Sequence, residues 1–112
     1  MSDMSYHIGV FMGDGFVERY KVGSSVCYIG LRSIDLDFVE HYQNVLERLT
    51  GKRYALHIER SGNPNRHDRY RCRVGCRSLV ESTLQDTQKK QRIPDWIMKG
   101  NVDEKKAFIQ GI

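Results

Sequence analysis

The chain has 112 residues, with 18 Lys or Arg against 14 Asp or Glu, for a net charge of +4. Hydrophobic residues make up 39% and prolines number only two, so a disordered or collagen-like chain is excluded, and no apolar run approaches the length of a membrane span. The mild basic excess permits a polyanionic partner without demanding one. The length is room for one domain. The polar start Met1-Ser2-Asp3 lacks the features of a signal peptide, and an odd set of cysteines (Cys27, Cys72 and Cys76) argues against a disulfide framework. A soluble, intracellular, cytoplasmic protein is expected, with no membrane contact.

The first element covers residues 5–15, where Ile8, Val10, Phe11 and Met12 are interrupted by Gly9, Gly13 and Gly15. Each glycine costs an exposed helix about 1 kcal/mol relative to alanine. A helix that keeps Gly9 and Gly13 on one face therefore calls for the close approach of another backbone. Residues 16–22 and 26–32 then read as two strands about a Gly23-Ser24-Ser25 turn. Ser33 or Asp35 caps a helix carrying Leu36, Val39, Tyr42, Leu46 and Leu49 at steps of three and four, closed by Gly51.

The pattern repeats. Residues 52–60 alternate, with Tyr54, Leu56 and Ile58 on one face and Arg53, His57 and Glu59 on the other. After a turn-rich loop, residues 69–76 set Arg69, Arg71 and Arg73 opposite Tyr70, Cys72, Val74 and Cys76. Ser78 caps a short helix through Gln88, residues 88–92 form a basic connector, and residues 93–97 form a turn that plants Trp96 in the core. Asp103 opens a last helix with Ala107, Phe108, Ile109 and Ile112. Cys72 and Cys76 read as core thiols rather than zinc ligands. His7, His41 and His57 lack a paired acid or nucleophile and are expected at surface or partly buried positions.

This order is that of an α+β domain: a four-stranded antiparallel sheet with its helices on one face. The other face is left to solvent or a ligand and carries Arg53, His57, Arg69, Arg71 and Arg73.

The stretch Ile8-Gly9-Val10-Phe11-Met12-Gly13-Asp14-Gly15-Phe16 resembles the signature of the LAGLIDADG homing endonucleases, an apolar helix with small residues that ends in an acid and a glycine. Gly9 matches its first glycine, Gly13 the small residue before the acid, Asp14 the acid and Gly15 the glycine after it. Met12 stands where the family's name has an aspartate. The element order is similar to that family's αββαββα half-domain. Ile93-Pro94-Asp95-Trp96-Ile97 is similar to a segment often found before the second motif, and residues 106–112 resemble the opening of that motif. The resemblance implies one complete repeat over residues 1–100 and the truncated start of a second signature helix over residues 101–112.

It implies further a site-specific double-stranded DNA endonuclease, or a fragment of one. Two signature helices would pack side by side through Gly9, Gly13 and Gly111, each bringing a carboxylate to a seam where two acids hold Mg²⁺ for phosphodiester hydrolysis. Asp14 would be the catalytic metal ligand, helped by the Gly13 carbonyl, with Arg32 stabilising charge. Leu31 stands where some members place a polar side chain. The sheet would straddle the major groove, with Arg19, Lys21, Arg53, His57, Arg69, Arg71 and Arg73 as candidate contacts. The second acid would come from a homodimer through the first helix or from a missing second repeat. Packing of the last helix on the first would block that dimer without supplying an acid. The alternatives are a non-cleaving module of the same fold, a maturase or regulator, and a small α+β interaction domain unrelated to nucleic acid.

Overall fold

A computed structural model describes residues 2–19 and 27–112; the expected turn at residues 23–25 lies outside them, as does Lys21. The elements in chain order are α1 (Ser2–Gly13), β1 (Gly15–Arg19), β2 (Cys27–Ser33), α2 (Leu36–Thr50), β3 (His57–Glu59), β4 (Arg69–Gly75), α3 (Arg77–Thr87), α4 (Asp95–Met98) and α5 (Val102–Gly111). Local chemistry sets the ends of α2: the Asp35 carboxylate accepts from the Phe38 N–H at 3.2 Å, and the Gly51 N–H closes on the Glu47 carbonyl at 2.7 Å.

The sheet has the order β1-β2-β4-β3, with every neighbouring pair antiparallel. Its alternation is clean on the two central strands. Ile29, Leu31, Cys72 and Val74 are buried against α1, α2 and α3, the helical layer. Their neighbours in register form the opposite face: Arg32 lies opposite Arg71, Gly30 opposite Arg73 and Phe16, and His57 opposite Arg71.

β3 is shorter than its alternating sequence suggests. Residues 52–56 are held by α2 instead of by β4: the Gln43 side-chain amide donates to the Tyr54 carbonyl at 2.8 Å, and Arg53 bonds Asn44 at 2.9 Å and Glu47 at 2.7 Å. Tyr54 and Ile58, expected to face inward, are 40% and 43% exposed. Two helix starts also differ from expectation. Cys76, and not Ser78, occupies the N-cap of α3, its thiol 3.5 Å from the Ser78 hydroxyl, and Asn101, two residues before Asp103, caps α5 by accepting from the Glu104 N–H. In α4 the core residue is Ile97, which is fully buried, while Trp96 is left 39% exposed.

His7 is completely buried, a departure from its expected surface or partly buried position. Its Nδ1 pairs with the Tyr42 hydroxyl at 2.7 Å and its Nε2 with Thr83 Oγ1 at 2.8 Å, joining α1, α2 and α3 in one satisfied network. His41 remains exposed, edge-on to Tyr6 at 4.9 Å between ring centroids.

α1 and α5 form the tightest helix pair. A methyl group at Gly9 would overlap the Phe108 carbonyl oxygen, and one at Gly111 would overlap the Tyr6 carbonyl oxygen. Ser5 donates a hydrogen bond to Glu104 near the start of both helices, and Gly13 meets Ile112 near the end of both, so the two run parallel. Backbone contact through glycine is what the spacing of Gly9 and Gly13 predicted for α1; the structure supplies it from within the same chain. Among the described residues no helix is long and apolar enough to cross a membrane.

Candidate nucleic-acid interface and acidic tip

α1 ends at Gly13, the Asp14 N–H bonds the Val10 carbonyl at 3.0 Å, and β1 departs at once from Gly15. The reversal is tight: a Cβ at Gly15 would lie 2.6 Å from the Phe11 Cα. Only glycine accepts that approach. Asp14 is thereby left at the tip of the helix, exposed, with no hydrogen bond or ion pair to its carboxylate among the described residues. Gly13 is exposed beside it, and a Cβ there would make only ordinary contact, 3.8 Å from Ile112. Of the three glycines expected at the helix seam, Gly9 and Gly111 are required by packing and Gly13 is not.

Besides Arg32, which follows Leu31, the register partner of Gly15, a second cation stands next to this tip. Lys90 Nζ donates to the Gly15 carbonyl at 2.6 Å and lies 5.0 Å from the Phe11 ring centroid. Three consecutive residues with left-handed backbone bring it there, Gln88, Lys89 and Lys90, at φ of 48°, 57° and 71°. Such residues cost of order 1–2 kcal/mol each when they are not glycine. The turn is held by the Thr87 carbonyl, which accepts from the N–H groups of Gln91 and Arg92 at 2.9 Å each, and by the Leu84 carbonyl, which accepts from Lys89 at 3.0 Å. Nothing in the composition of Gln-Lys-Lys signals a left-handed run, so Lys90 escaped the sequence reading.

The open face of the sheet carries Arg69, Arg71, Arg73 and His57, as expected from their alternation, and Arg32 joins them through its register with Arg71, with Glu18 and Glu59 among them. Arg73 pairs with Glu18 at 2.9 Å; Arg32 pairs with Glu59 at 2.9 Å, and Arg71 approaches the same carboxylate oxygen at 3.8 Å. These acids neutralise part of the stripe, leaving four arginines against two glutamates. Arg53 is not on this face: its guanidinium is engaged by Gln43, Asn44 and Glu47 of α2. Arg19 pairs with Cys27 at the end of the β1–β2 ladder. No group of three or more His, Cys, Asp or Glu side chains suited to a metal occurs among the described residues, and Cys72 sits in the core, apart from any such set.

The same fold occurs in solved structures of the homing endonuclease I-DmoI. One is a doubly substituted I-DmoI in complex with its target DNA, nicked in the coding strand, in the presence of manganese, with a TM-score of 0.63 and 19% identity over 98% of this chain. Another is a set of mesophilic variants of that enzyme, with a TM-score of 0.62 and 19% identity over the same share. The chain spans 58% and 55% of the lengths of these two proteins. At this identity the likeness establishes the fold: the four-stranded antiparallel sheet with helices on one face is the half-domain architecture of I-DmoI. No protein-family profile matches the sequence, and a search of curated protein sequences finds no match.

Proposed function

We propose that this chain is a LAGLIDADG-type repeat that binds double-stranded DNA on its open sheet face and contributes Asp14 to a metal-dependent site for phosphodiester hydrolysis. The observation that carries the reading is the position of Asp14: an exposed, unpartnered carboxylate at the tip of a helix pair in backbone contact, two residues before Phe16 on the arginine-bearing face. The solved I-DmoI structures support it through a shared fold and, in one of them, a bound target DNA.

The donors at the tip are oxygens only, the Asp14 carboxylate and the Gly13 carbonyl, one of the last carbonyls of α1 and so open to an outside partner. Hard oxygen donors suit Mg²⁺. When bound, such an ion stabilises the negative charge that develops on a phosphoryl group. Lys90 is the residue of this chain suited to a parallel task, since its ammonium is fixed one residue from Asp14. Arg32, expected in that role, follows the partner of Gly15 in the sheet and holds Glu59 through its Nε.

One acid makes half of a two-carboxylate site. The Gly9 ridge of α1 is occupied by α5, which runs parallel to it in the manner of a second signature helix. A homodimer through that ridge would have to displace α5. This occupancy supports a second repeat, rather than a homodimer, as the source of the second acid.

The test is Asp14→Asn with duplex DNA and Mg²⁺. Binding is expected to persist, with a log–log salt slope of about −0.9 per phosphate neutralised, while metal-dependent cleavage disappears. Cleavage that survives the change removes Asp14 from the site, and a flat salt response removes DNA as the partner. The second reading, a non-cleaving DNA-binding module, is favoured by the single carboxylate at the tip. Salt-dependent binding with no cleavage in any metal would establish it.

A further inference from the structure

Two arginines on the open face are each fixed from two sides. Arg32 Nε donates to Glu59 at 2.9 Å while its guanidinium lies over Phe16, 5.7 Å from the ring centroid. Arg73 Nη1 donates to Glu18 at 2.9 Å while its guanidinium lies over Tyr28 at 4.3 Å. The supports come from other strands: Arg32 on β2 leans on β1 and reaches β3, and Arg73 on β4 leans on β2 and reaches β1. In each case a carboxylate fixes one N–H and an aromatic ring fixes the plane of the fork. Both Nη groups of Arg32 stay without a partner among the described residues.

The cations at the rim are built differently. Arg66 and Arg69 have no side-chain ion pair among the described residues, and with Arg60 and His67 they line a shallow cleft of about 620 Å³ beside the β3–β4 loop. A guanidinium held in a fixed plane can meet a base edge through two parallel hydrogen bonds, which is the contact that distinguishes guanine. A mobile cation follows phosphates whatever the sequence. Charge makes the same distinction. An acid on a DNA-binding face weakens general attraction, so Glu18 and Glu59 are unfavourable there unless they improve what Arg73 and Arg32 do.

Resting on the DNA-binding reading above, we propose that Arg32 and Arg73 are the specificity-determining residues of this face. Glu59 with Phe16, and Glu18 with Tyr28, are their positioning residues, and the rim arginines Arg66 and Arg69 hold phosphates.

The experiment enriches bound sequences from a duplex library with a randomised core, then compares the enriched duplex with a scrambled one. In Glu59→Gln the preference for the enriched duplex falls roughly tenfold while affinity for the scrambled duplex holds or rises. Arg32→Lys loses the same preference, and Glu59→Gln adds nothing in that background. Arg69→Lys alters affinity for both duplexes by the same factor, as a phosphate contact does. Glu81→Gln, the same charge change on α3, raises affinity for both duplexes alike. Thermal unfolding of each variant separates loss of fold from loss of reading. A Glu59→Gln protein that keeps the wild-type preference overturns the proposal, as does a wild type that binds duplex but enriches no sequence. A wild type that shows no salt-dependent duplex binding overturns the DNA-binding reading and this proposal together.

Discussion

Gly9 and Gly111 face each other across the α1–α5 seam so closely that a Cβ on Gly9 would lie 3.2 Å from the Gly111 Cα, and one on Gly111 would lie 3.2 Å from the Gly9 carbonyl carbon. Both would also overlap a carbonyl oxygen of the opposite helix. Gly13, four residues along the same helix, meets nothing nearer than 3.8 Å. Two chemically identical substitutions should therefore have opposite signs. Gly9→Ala forces the helices apart and is expected to destabilise the fold by about 1–3 kcal/mol, as overpacking does. Gly13→Ala gains helix propensity and is expected to be neutral or up to about 1 kcal/mol more stable. Urea unfolding midpoints of the two variants decide this, and equal stability for both would mean that the seam is not formed.

His7 ties the core to pH. Burial lowers its pKa from 6.5 to about 4, since the charged ring has no water and its two nitrogens already serve Tyr42 and Thr83. In the unfolded chain the ring takes a proton near pH 6.5, whereas in the folded chain it resists until about pH 4. Between those values the unfolded state binds more protons, so stability rises with pH. The contribution is complete above pH 6.5 and is lost as pH falls toward 4, a change of about 3 kcal/mol. Denaturant unfolding across that window should show the slope, and His7→Gln should flatten it. An unchanged slope in the variant would place the titrating group elsewhere.

The features legible in the sequence are those whose signals are local. The Asp35 and Gly51 ends of α2 are written in single residues. The alternation of β4 assigns Arg69, Arg71 and Arg73 to one face because both faces contrast sharply in polarity. Residues 52–56 alternate just as well, yet Gln43, some eleven positions earlier, captures the Tyr54 carbonyl and draws that segment to α2. No periodicity records such a bond. Trp96 and Ile97 are adjacent and both apolar in a helix of four residues, too short for a period to choose which is buried.

The site divides in the same way. Glycine spacing marks Asp14 and its helix, because glycine inside a helix is disfavoured unless a backbone lies against it. Lys90 depends on three left-handed residues, none of them glycine or asparagine. The pairing of Arg32 with Glu59 depends on the strand order, since β3 is separated from β2 by β4. Alternation placed Glu59 on the correct face, and only the sheet topology gave it a partner.

Lys90→Met keeps the length and the apolar stem of the side chain and removes its charge. The Phe11 ring still has an apolar neighbour, while the bond to the Gly15 carbonyl and the cation–π contact are lost. In the cleavage assay used for Asp14→Asn, the expected result is a loss of about a hundredfold or more in rate, the scale of removing one preorganised donor from a developing negative charge. Duplex affinity should change only by the loss of a single cation. Full cleavage by Lys90→Met would leave the lysine a purely structural clasp between the α3 tail and β1.

Cys72 and Cys76 should react in an order set by their surroundings. Burial pushes Cys72 up to about 11, so it is a neutral thiol in the core at ordinary pH. At Cys76 burial also acts upward, but the Ser78 hydroxyl, the backbone N–H groups of Leu79 and Ser78 at the start of α3, and the charge of Lys52 outweigh it, and the thiol lies below its usual range. Alkylation with iodoacetamide near pH 7.5, followed by peptide mass spectrometry, should label Cys76 early and Cys72 only after unfolding. Because the nucleophile is the thiolate, lowering the pH should slow Cys76 without making Cys72 competitive. Replacing Lys52 with Met takes away one of the groups that favour the Cys76 thiolate and should slow its labelling by several-fold. Early labelling of Cys72 in the folded protein would show that the β2–β4 core opens readily, which the buried contacts of Leu31, Val74 and Tyr42 around it do not allow.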